Sequence, residues 1–356
     1  MSIWDSYPTN YRAGEAQRLL TAVQAGECAA VIGLSGSGKS NLLGFIAHRL
    51  NNGTPAFALI DCNRVSARSA AGLLRLIQQK LAPGAPDEEV SALEIAIANR
   101  LENSPHGLCL LLDRYDALGE AERAAAAGPL RALRDAFKYQ LTYIIAARRP
   151  LEADNELSEL FYANTLWLGP LSAENARWSA AQYAARHALA WDSETLERLI
   201  DISRAYPALL RACCEAHAAG ADLTLSALRD HAAVQRRVHE FWSDHPTETD
   251  LIHSGLNDHS LLSTGQPASP GGHSDLTASE HRLLAYFRAH PDEICGKDEL
   301  IQAVWPEERV INGLRDDCLA QLVRRLRRKI EPDPSSPQQV VTIPGRGYRY
   351  QSNTSH

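Results

Sequence analysis

No two of the seven cysteines stand in a C-x-x-C arrangement. Cys28, Cys62, Cys109, Cys213, Cys214, Cys295 and Cys318 are odd in number, scattered, and mostly set in apolar runs. That argues against a disulfide scaffold and a cysteine-held zinc, and predicts buried, reduced thiols. No apolar stretch approaches the ~18 residues a membrane helix needs. The opening Met1-Ser2-Ile3-Trp4-Asp5 has neither the basic nor the apolar region of a leader, so a cytoplasmic protein without a membrane partner is expected. Positive charge is not in excess either: 36 Lys+Arg stand against 43 Asp+Glu, a formal net charge of −7. A chain that coats nucleic acid along its whole length is excluded, and only a segregated basic patch remains. There is no internal repeat. The 356 residues, 45% of them apolar, exceed one ordinary core and predict two or three globular domains.

What is present centres on Val31-Ile32-Gly33-Leu34-Ser35-Gly36-Ser37-Gly38-Lys39-Ser40. An apolar run from Cys28 enters a loop of glycines and serines, and an apolar-periodic stretch, Leu42-Leu43-Phe45-Ile46, follows. Strand, loop and helix with G-x-x-x-x-G-K-S make the phosphate-binding P-loop, whose weaker alternative is a flexible Gly/Ser turn. Gly33, Gly36 and Gly38 let backbone N–H groups close on phosphate oxygens without a Cβ in the way. The new helix adds its positive dipole end. Lys39 is placed for the β- and γ-phosphates and Ser40 for Mg²⁺, with Ser35, Ser37 and Asn41 completing the cofactor-binding loop.

A first helix is expected over 11–23, with Leu19, Leu20 and Val23 on one face. A strand follows over 57–62, then helices over 73–81 and 90–101, separated by Ala82-Pro83-Gly84-Ala85-Pro86. Leu108-Cys109-Leu110-Leu111-Leu112-Asp113 is a continuous apolar run ending in a carboxylate. It suits a parallel strand buried on both faces, with Asp113 at the carboxyl end where such sheets bind ligands. Asp113 is read as the Walker B aspartate that acts on Mg²⁺ through Ser40 and water; the alternative is a helix cap. Further strands are expected at 141–147, ending in Arg148-Arg149-Pro150, and at 166–168. Strands separated by helices predict an α/β, doubly wound parallel sheet. Beyond Ser172 the pattern is wholly helical, over 175–187, 193–202, 207–218 and 225–241, which predicts a helical lid.

Residues from about 11 to 240 resemble AAA+/STAND-type P-loop ATPases. The carriers are the P-loop, the 108–113 strand with Arg114-Tyr115-Asp116, the strand ending at Arg148, and Pro170-Leu171-Ser172 opening the lid. The resemblance implies ATP/ADP and Mg²⁺ as cofactors, and a γ-phosphate sensor at Arg148. It also implies nucleotide contact from a Gly-x-Pro in the lid, which reads Ala205-Tyr206-Pro207 here, so that Pro207 alone matches. Tyr11 and Arg12 are carried over as candidates for contact with the base, equally readable as a solvated helix start. Many relatives place a glutamate directly after the Walker B aspartate to polarise the attacking water. Arg114 stands there, and Asp116, at D-x-x-D spacing, is the carboxylate left to reach that water. The expected catalytic set is therefore Lys39, Asp113, Asp116 and Arg148, with slow hydrolysis that suits a switch. Guanine-type N-K-x-D and transporter-type L-S-G-G-Q motifs are absent.

From 243 to about 275 Ser, Thr, Gly, Pro, Asp and His dominate, which predicts a flexible tether. His245, His253, His259 and His273 match no zinc spacing and read as solvated. An apolar island, Leu251-Ile252 to Leu261-Leu262, is expected to dock on a neighbouring domain.

Leu276-Thr277-Ala278-Ser279-Glu280 opens another helix at capping-box spacing. A second helix runs over 297–305 and a third over 316–330, with Leu319, Leu322, Val323, Leu326 and Ile330 at helical spacing. The third carries Gln321, Arg324, Arg325, Arg327 and Arg328 on its other side. Val340-Val341-Thr342-Ile343, Pro344-Gly345-Arg346-Gly347 and Tyr348-Arg349-Tyr350 then form a hairpin with Arg346 at its tip. Three helices and a basic-tipped hairpin describe a winged helix-turn-helix. Its third helix would enter the major groove and its wing would meet phosphates or the minor groove. The DNA-binding candidates are Gln321, Arg324, Arg325, Arg328, Arg346 and Arg349. Residues 276–351 closely resemble the OmpR/PhoB-type DNA-binding domain, carried by Leu276-Thr277, Glu280, Leu283-Leu284, Asp298-Glu299-Leu300, Val304-Trp305, Leu326-Arg327-Arg328-Lys329-Ile330, Thr342 and Gly345-Arg346-Gly347-Tyr348.

The expected organisation is an ATPase core at 1–171, a lid at 172–242, a linker at 243–275 and the winged helix at 276–351. The expected function is a regulator whose nucleotide state controls DNA binding, with double-stranded DNA, ATP-dependent self-association and RNA polymerase as partners. A DNA-acting ATPase, such as a replication initiator or a mobile-element or defence enzyme, is the first alternative. A winged helix that binds protein is the second.

Overall fold

The computed structural model describes residues 3–50, 55–83, 90–152, 155–243, 245–257, 259–262, 278–304, 319–320, 322–324, 326–327, 330–331, 337–343 and 346–351. Two compact units result, Met1–His259 and Ser260–His356.

In the first unit, α1 (Ala13–Gln24) leads to β1 (Ala29–Ile32), α2 (Lys39–Arg49) and β2 (Ala56–Asp61). Next come α3 (Ala70–Leu81), α4 (Val90–Glu102), β3 (Leu108–Asp113), α5 (Glu120–Phe137), β4 (Leu141–Ala147) and β5 (Thr165–Trp167). The strands pair in parallel in the order β2-β3-β4-β1-β5. Every residue of β3 and β4 is buried. Alternation decides which layer each side chain joins. Leu108, Leu110, Leu112 and Ile145 face a core completed by Leu73 of α3, Ile97 of α4 and Leu130 of α5. Cys109, Leu111, Val31 and Ile144 face the core under Leu19 of α1 and Leu42 and Ile46 of α2. The sheet is thus wound on both faces, and the carboxyl ends of β1, β3 and β4 open onto one edge. α5 was not anticipated: its sequence is alanine-rich and contains Gly128-Pro129. Its buried Ala126, Ala127, Leu130 and Leu133 pack on the sheet.

The helical half follows from local signals. Ser172 caps α6 (Ala173–Arg186) and Asp192 caps α7 (Ser193–Ser203) through the N–H groups of Asn175 and Thr195. Pro207 opens α8 (Pro207–Ala218) at its first position. The single helix expected over 225–241 is two, α9 (Leu225–Asp230) and α10 (Ala232–Ser243). His231 is extended between them, and its Nδ1 accepts from Ala233 N at 3.2 Å, so the side chain starts a new helix instead of continuing the old one.

The flexible tether expected from 243 needs correction over its first part. Residues up to His259 belong to the first unit. Thr247 and Asp250 form a reciprocal capping box on α11 (Glu248–His253). Asp250 is buried and pairs with Arg149 at 3.3 Å, while Arg149 Nη2 donates to His245 O at 2.5 Å. The rings of His253 and Trp167 stack at 4.3 Å. His259, expected in solvent, is buried with Nε2 donating to Ser203 O at 2.9 Å, and burial lowers its pKa. Most of its attachments are polar and leave no apolar pattern, although Leu256, within the expected apolar island, is buried. Residues 263–277, including His273 and Thr277, lie outside the described residues.

In the second unit, α12 (Ala278–Ala289), β6 (Ile294–Cys295), α13 (Lys297–Val304), β7 (Val340–Ile343) and β8 (Gly347–Tyr350) are described. Leu283, Phe287, Leu300, Val304, Leu319, Leu322, Leu326 and Val340 share one core. The hairpin gains a third strand, since β6 pairs antiparallel to β8, with Cys295 opposite Tyr348. Gly347 makes this possible: at φ +131° it lies so close to β6 that a Cβ would meet Cys295 O at 2.1 Å. The described cysteines are free and buried, as expected; Cys318 lies outside the described residues.

Candidate functional site

The loop after β1 and the ends of β3 and β4 enclose a cleft of about 470 Å³ with the helical half. Ser35, Gly36, Gly38, Lys39, Ser40 and Asn41 line it from the loop and α2. Arg114, Asp116 and Arg148 line it from the strand ends, and Pro207, Arg211 and Arg237 from α8 and α10. Gly38, at φ +95°, turns the chain into α2, whose N-terminal N–H groups carry the positive end of the dipole. Lys39 Nζ donates to Gly33 O at 2.5 Å and Leu34 O at 3.1 Å, so its ammonium is folded back over its own loop.

Gly33, Ser37 and Asp113 stand behind the lining. Ser37 is fully buried and its Oγ has no hydrogen-bond partner among the described residues. Ser40 Oγ donates to Asp113 Oδ1 at 3.0 Å, which brings together the two residues expected at Mg²⁺. Burial raises the Asp113 pKa, against the opposing pull of Ser40 and of the Arg114 guanidinium. Such a carboxylate gains from a cation more than a solvated one would.

Arg114 is left-handed, at φ +54°, directly after β3. Its guanidinium reaches Asp61 at 3.8 Å and Asp113 at 4.0 Å, because β2 and β3 run in register with Asp61 beside Asp113. Asp116 pairs with Arg148 Nε. The carboxylate expected near the attacking water is thus tied to the arginine expected at the γ-phosphate.

The helical half sits directly on the loop. Ala208 N donates to Gly36 O at 3.2 Å, and Tyr206 Oη reaches Ser35 O at 3.3 Å. Gly36 is required twice: φ is +76°, and a Cβ there would stand 2.3 Å from the Ala208 Cβ. Pro207 therefore lies at the cleft, while the loop contacts come from its neighbours on either side.

Tyr11 and Arg12 divide. Tyr11 lines a smaller cavity of about 150 Å³ beside the cleft, with Asn41, Trp178, Gln182 and Arg186 among its walls. Arg12 is 2% exposed, and its guanidinium donates to Ser37 O and Gly169 O, both at 2.9 Å, with Glu15 at 2.8 Å. Its backbone N–H donates to Asn175 Oδ1 at 2.7 Å. Arg12 is thus a clamp joining the P-loop to the start of the helical half, not a surface that meets a base. Arg12→Met is expected to cost about 2 kcal/mol of stability by orphaning buried carbonyls. Thermal denaturation of the full chain checks it, and an unchanged melting temperature would contradict the clamp. Arg211 and Arg237 were not anticipated in the cleft. Arg211 could have been found, because it follows Pro207 by one helical turn.

In the second unit Arg324 and Arg346 are exposed and Arg349 is half-buried. Gln321, Arg325 and Arg328 lie outside the described residues. Arg327 does not join the exposed set: Nε donates to Val340 O at 2.8 Å and Nη2 to Thr342 Oγ1 at 2.7 Å, with its guanidinium 5.9 Å over the Tyr348 ring. It bolts the basic helix to the wing. Glu331 helps, accepting from the N–H groups of Gln338, Gln339 and Val340.

Among the described residues no helix is long and apolar enough to cross a membrane. A family model described as "Transcriptional regulatory protein, C terminal" matches residues 271–350, which makes the second unit a DNA-binding domain of the OmpR/PhoB type. The uncharacterized transcriptional regulatory protein YcbL of Bacillus subtilis is 31% identical over 122 residues, 33% of this chain and 50% of that protein. The transcriptional regulatory protein YvrH of B. subtilis is 39% identical over 72 residues, 20% of this chain and 29% of that one. The chain thus spans half or less of these curated relatives. The Walker-type ATPase PABY2304 of Pyrococcus abyssi superposes with a TM-score of 0.51 at 12% identity, covering 98% of this chain and 97% of that one, a likeness of fold. A model described as "Novel STAND NTPase 1" matches residues 11–238, well over half of the chain, and nucleotide binding, typically with Mg²⁺, comes with it. The chain belongs to the novel STAND NTPase 1 family and carries an OmpR/PhoB-type domain behind its nucleotide-binding unit.

Proposed function

We propose that this protein is a transcriptional regulator in which ATP, held with Mg²⁺ in the first unit, sets how tightly the second unit holds double-stranded DNA. The observation that carries it is the Ser40–Asp113 hydrogen bond of 3.0 Å beneath a P-loop, in a chain that also bears a DNA-binding domain. The residues fit the cofactor. Ser40 and Asp113 would hold Mg²⁺, while Lys39, the loop N–H groups and Arg148 would hold the phosphates. Bound Mg²⁺ would supply charge neutralisation between the β- and γ-phosphates. The chain's own part is orientation: Asp113 fixes Ser40, Gly36 and Gly38 shape the backbone, and α8 closes over the loop. Tyr11, which lines the adjoining cavity, would meet the adenine.

Coupling needs a part that both events bias. The helical half is that part, because α8 and the residue before it touch the loop through Tyr206 and Ala208 and line the nucleotide cleft through Pro207, Ala208 and Arg211. Triphosphate binding would favour one lid position and with it self-association, clustering winged helices on repeated half-sites and recruiting RNA polymerase. A DNA-acting motor is less well supported, since Arg114 occupies the place where a water-polarising carboxylate would serve.

A gel shift of the full chain on duplex DNA selected from a random pool, without nucleotide and with ADP or ATP plus Mg²⁺, tests the reading. At least a tenfold change in DNA affinity between ADP and ATP is expected; identical curves would sink it. In the same assay Arg346→Ala is expected to weaken all duplexes about equally and to lower the salt slope by about 1, as for a phosphate contact. Arg324→Ala should cost about 1–3 kcal/mol on the selected site alone, as for a base contact.

A further inference from the structure

The basic side chains lining the cleft differ in what holds them. Arg114 faces Asp61 and Asp113, Arg148 is paired with Asp116, Lys39 is bonded to loop carbonyls, and Arg211 is an exposed side chain of α8. Arg237 has a different kind of partner: its Nη1 lies 2.7 Å from Glu240 Oε2, one turn along the same helix. The two side chains are 39% and 53% exposed. A surface pair of that kind contributes little to stability and is readily exchanged.

The position of α10 gives the exchange a direction. Val234, Val238 and Phe241 are its buried face. The Phe241 ring meets Tyr206 edge-on at 5.3 Å, and Tyr206 Oη reaches the P-loop carbonyls. Arg237 lies one turn before Phe241, so it shares the side of α10 that is pressed toward the loop, and it lines the cleft with Gly36, Lys39 and Arg148.

We propose that Arg237 is a phosphate-binding residue of this cleft, held in reserve by Glu240 until a nucleoside polyphosphate takes the carboxylate's place. This rests on the nucleotide reading above and adds a ligand from α10. A guanidinium moving from one exposed carboxylate to phosphate oxygens gains charge-assisted, fork-shaped hydrogen bonds in a more enclosed site. α10 runs directly into the segment that α11 and Arg149 fasten to the core. A phosphate gripped by Arg237 therefore pulls on the stretch of chain that leads toward the DNA-binding unit.

The test uses the full chain, Mg²⁺, and fluorescent ADP and non-hydrolysable ATP analogues in equilibrium titrations. Arg237→Ala is expected to weaken binding of the ATP analogue about tenfold, and Arg237→Lys to recover part of the loss. Glu240→Gln is expected to tighten binding about threefold by removing the competitor, and to have no effect in the Arg237→Ala background. A merely structural surface pair would give the same small effect for both single variants and no change of sign. Arg237→Ala within twofold of the parent, or a Glu240→Gln gain that survives without Arg237, would overturn the proposal. Failure of the parent chain to bind either nucleotide would overturn the underlying reading and this one with it, a result visible before any variant is made.

Discussion

Lys39→Ala is expected to weaken ATP–Mg²⁺ binding by about 1,000-fold, roughly 4 kcal/mol, the size of a charged donor removed from more than one phosphate oxygen. The loss should fall on the ligand and not on the fold. Lys39 donates to Gly33 O and Leu34 O, and both carbonyls belong to a loop that also has backbone and lid contacts. The variant should therefore melt within a few degrees of the parent. Isothermal titration gives the affinity, and footprinting gives the consequence: DNA protection that no longer differs between ADP and ATP, at the parent's nucleotide-free strength. If Lys39→Ala keeps a nucleotide-dependent footprint, coupling between the two units fails as an idea. If it loses DNA binding altogether, the P-loop serves the fold and not a switch.

The features that were legible beforehand are those that a few neighbouring residues decide. β3 and β4 are buried on both faces, so apart from Thr142 and the terminal Asp113 their sequences are apolar runs, and their bounds at Leu108–Asp113 and Leu141–Ala147 follow from that. Pro207 sets the first turn of α8 in the same local way. The P-loop and Asp113 were also legible, because glycine spacing and a terminal carboxylate mark them. Contacts between distant residues were not. Arg12 meets Gly169 and Asn175 across more than 150 positions, and nothing around it signals a buried guanidinium. β6 is two residues long and exists because Gly347 lets it approach β8. The segment from 245 to 259 reads as tether because Asp250, His253 and His259 are polar, yet each is held by a specific partner. Arg237 is similar: on its own helix it is an ordinary basic residue beside a glutamate, and the folding of α10 against α8 is what carries it to the cleft.

Arg114→Glu is expected to raise ATP turnover by about 100-fold, the lower end of what a well-placed general base contributes. Arg114 follows the buried Asp113 directly, and its left-handed backbone turns the side chain back over Asp61 and Asp113. A positive group there neutralises the carboxylates near the metal but offers no site for a proton. The other nearby carboxylate, Asp116, is engaged by Arg148. The parent should thus hold ATP far longer than it takes to bind DNA, which is what a nucleotide-state switch requires. Glutamate at 114 would restore an acceptor, while Mg²⁺ would offset the added negative charge. Arg114→Ala separates the two effects: it removes the guanidinium without adding a base and should stay within about tenfold of the parent, because only the base supplies the larger factor. Phosphate release under single-turnover conditions reads the chemical step directly. If Arg114→Glu is no faster than Arg114→Ala, the limit on hydrolysis lies elsewhere, in the Asp116–Arg148 pair. A fast Arg114→Glu variant should also respond to ATP only transiently in the DNA assay, since each bound triphosphate would decay to the diphosphate state within the time of the measurement.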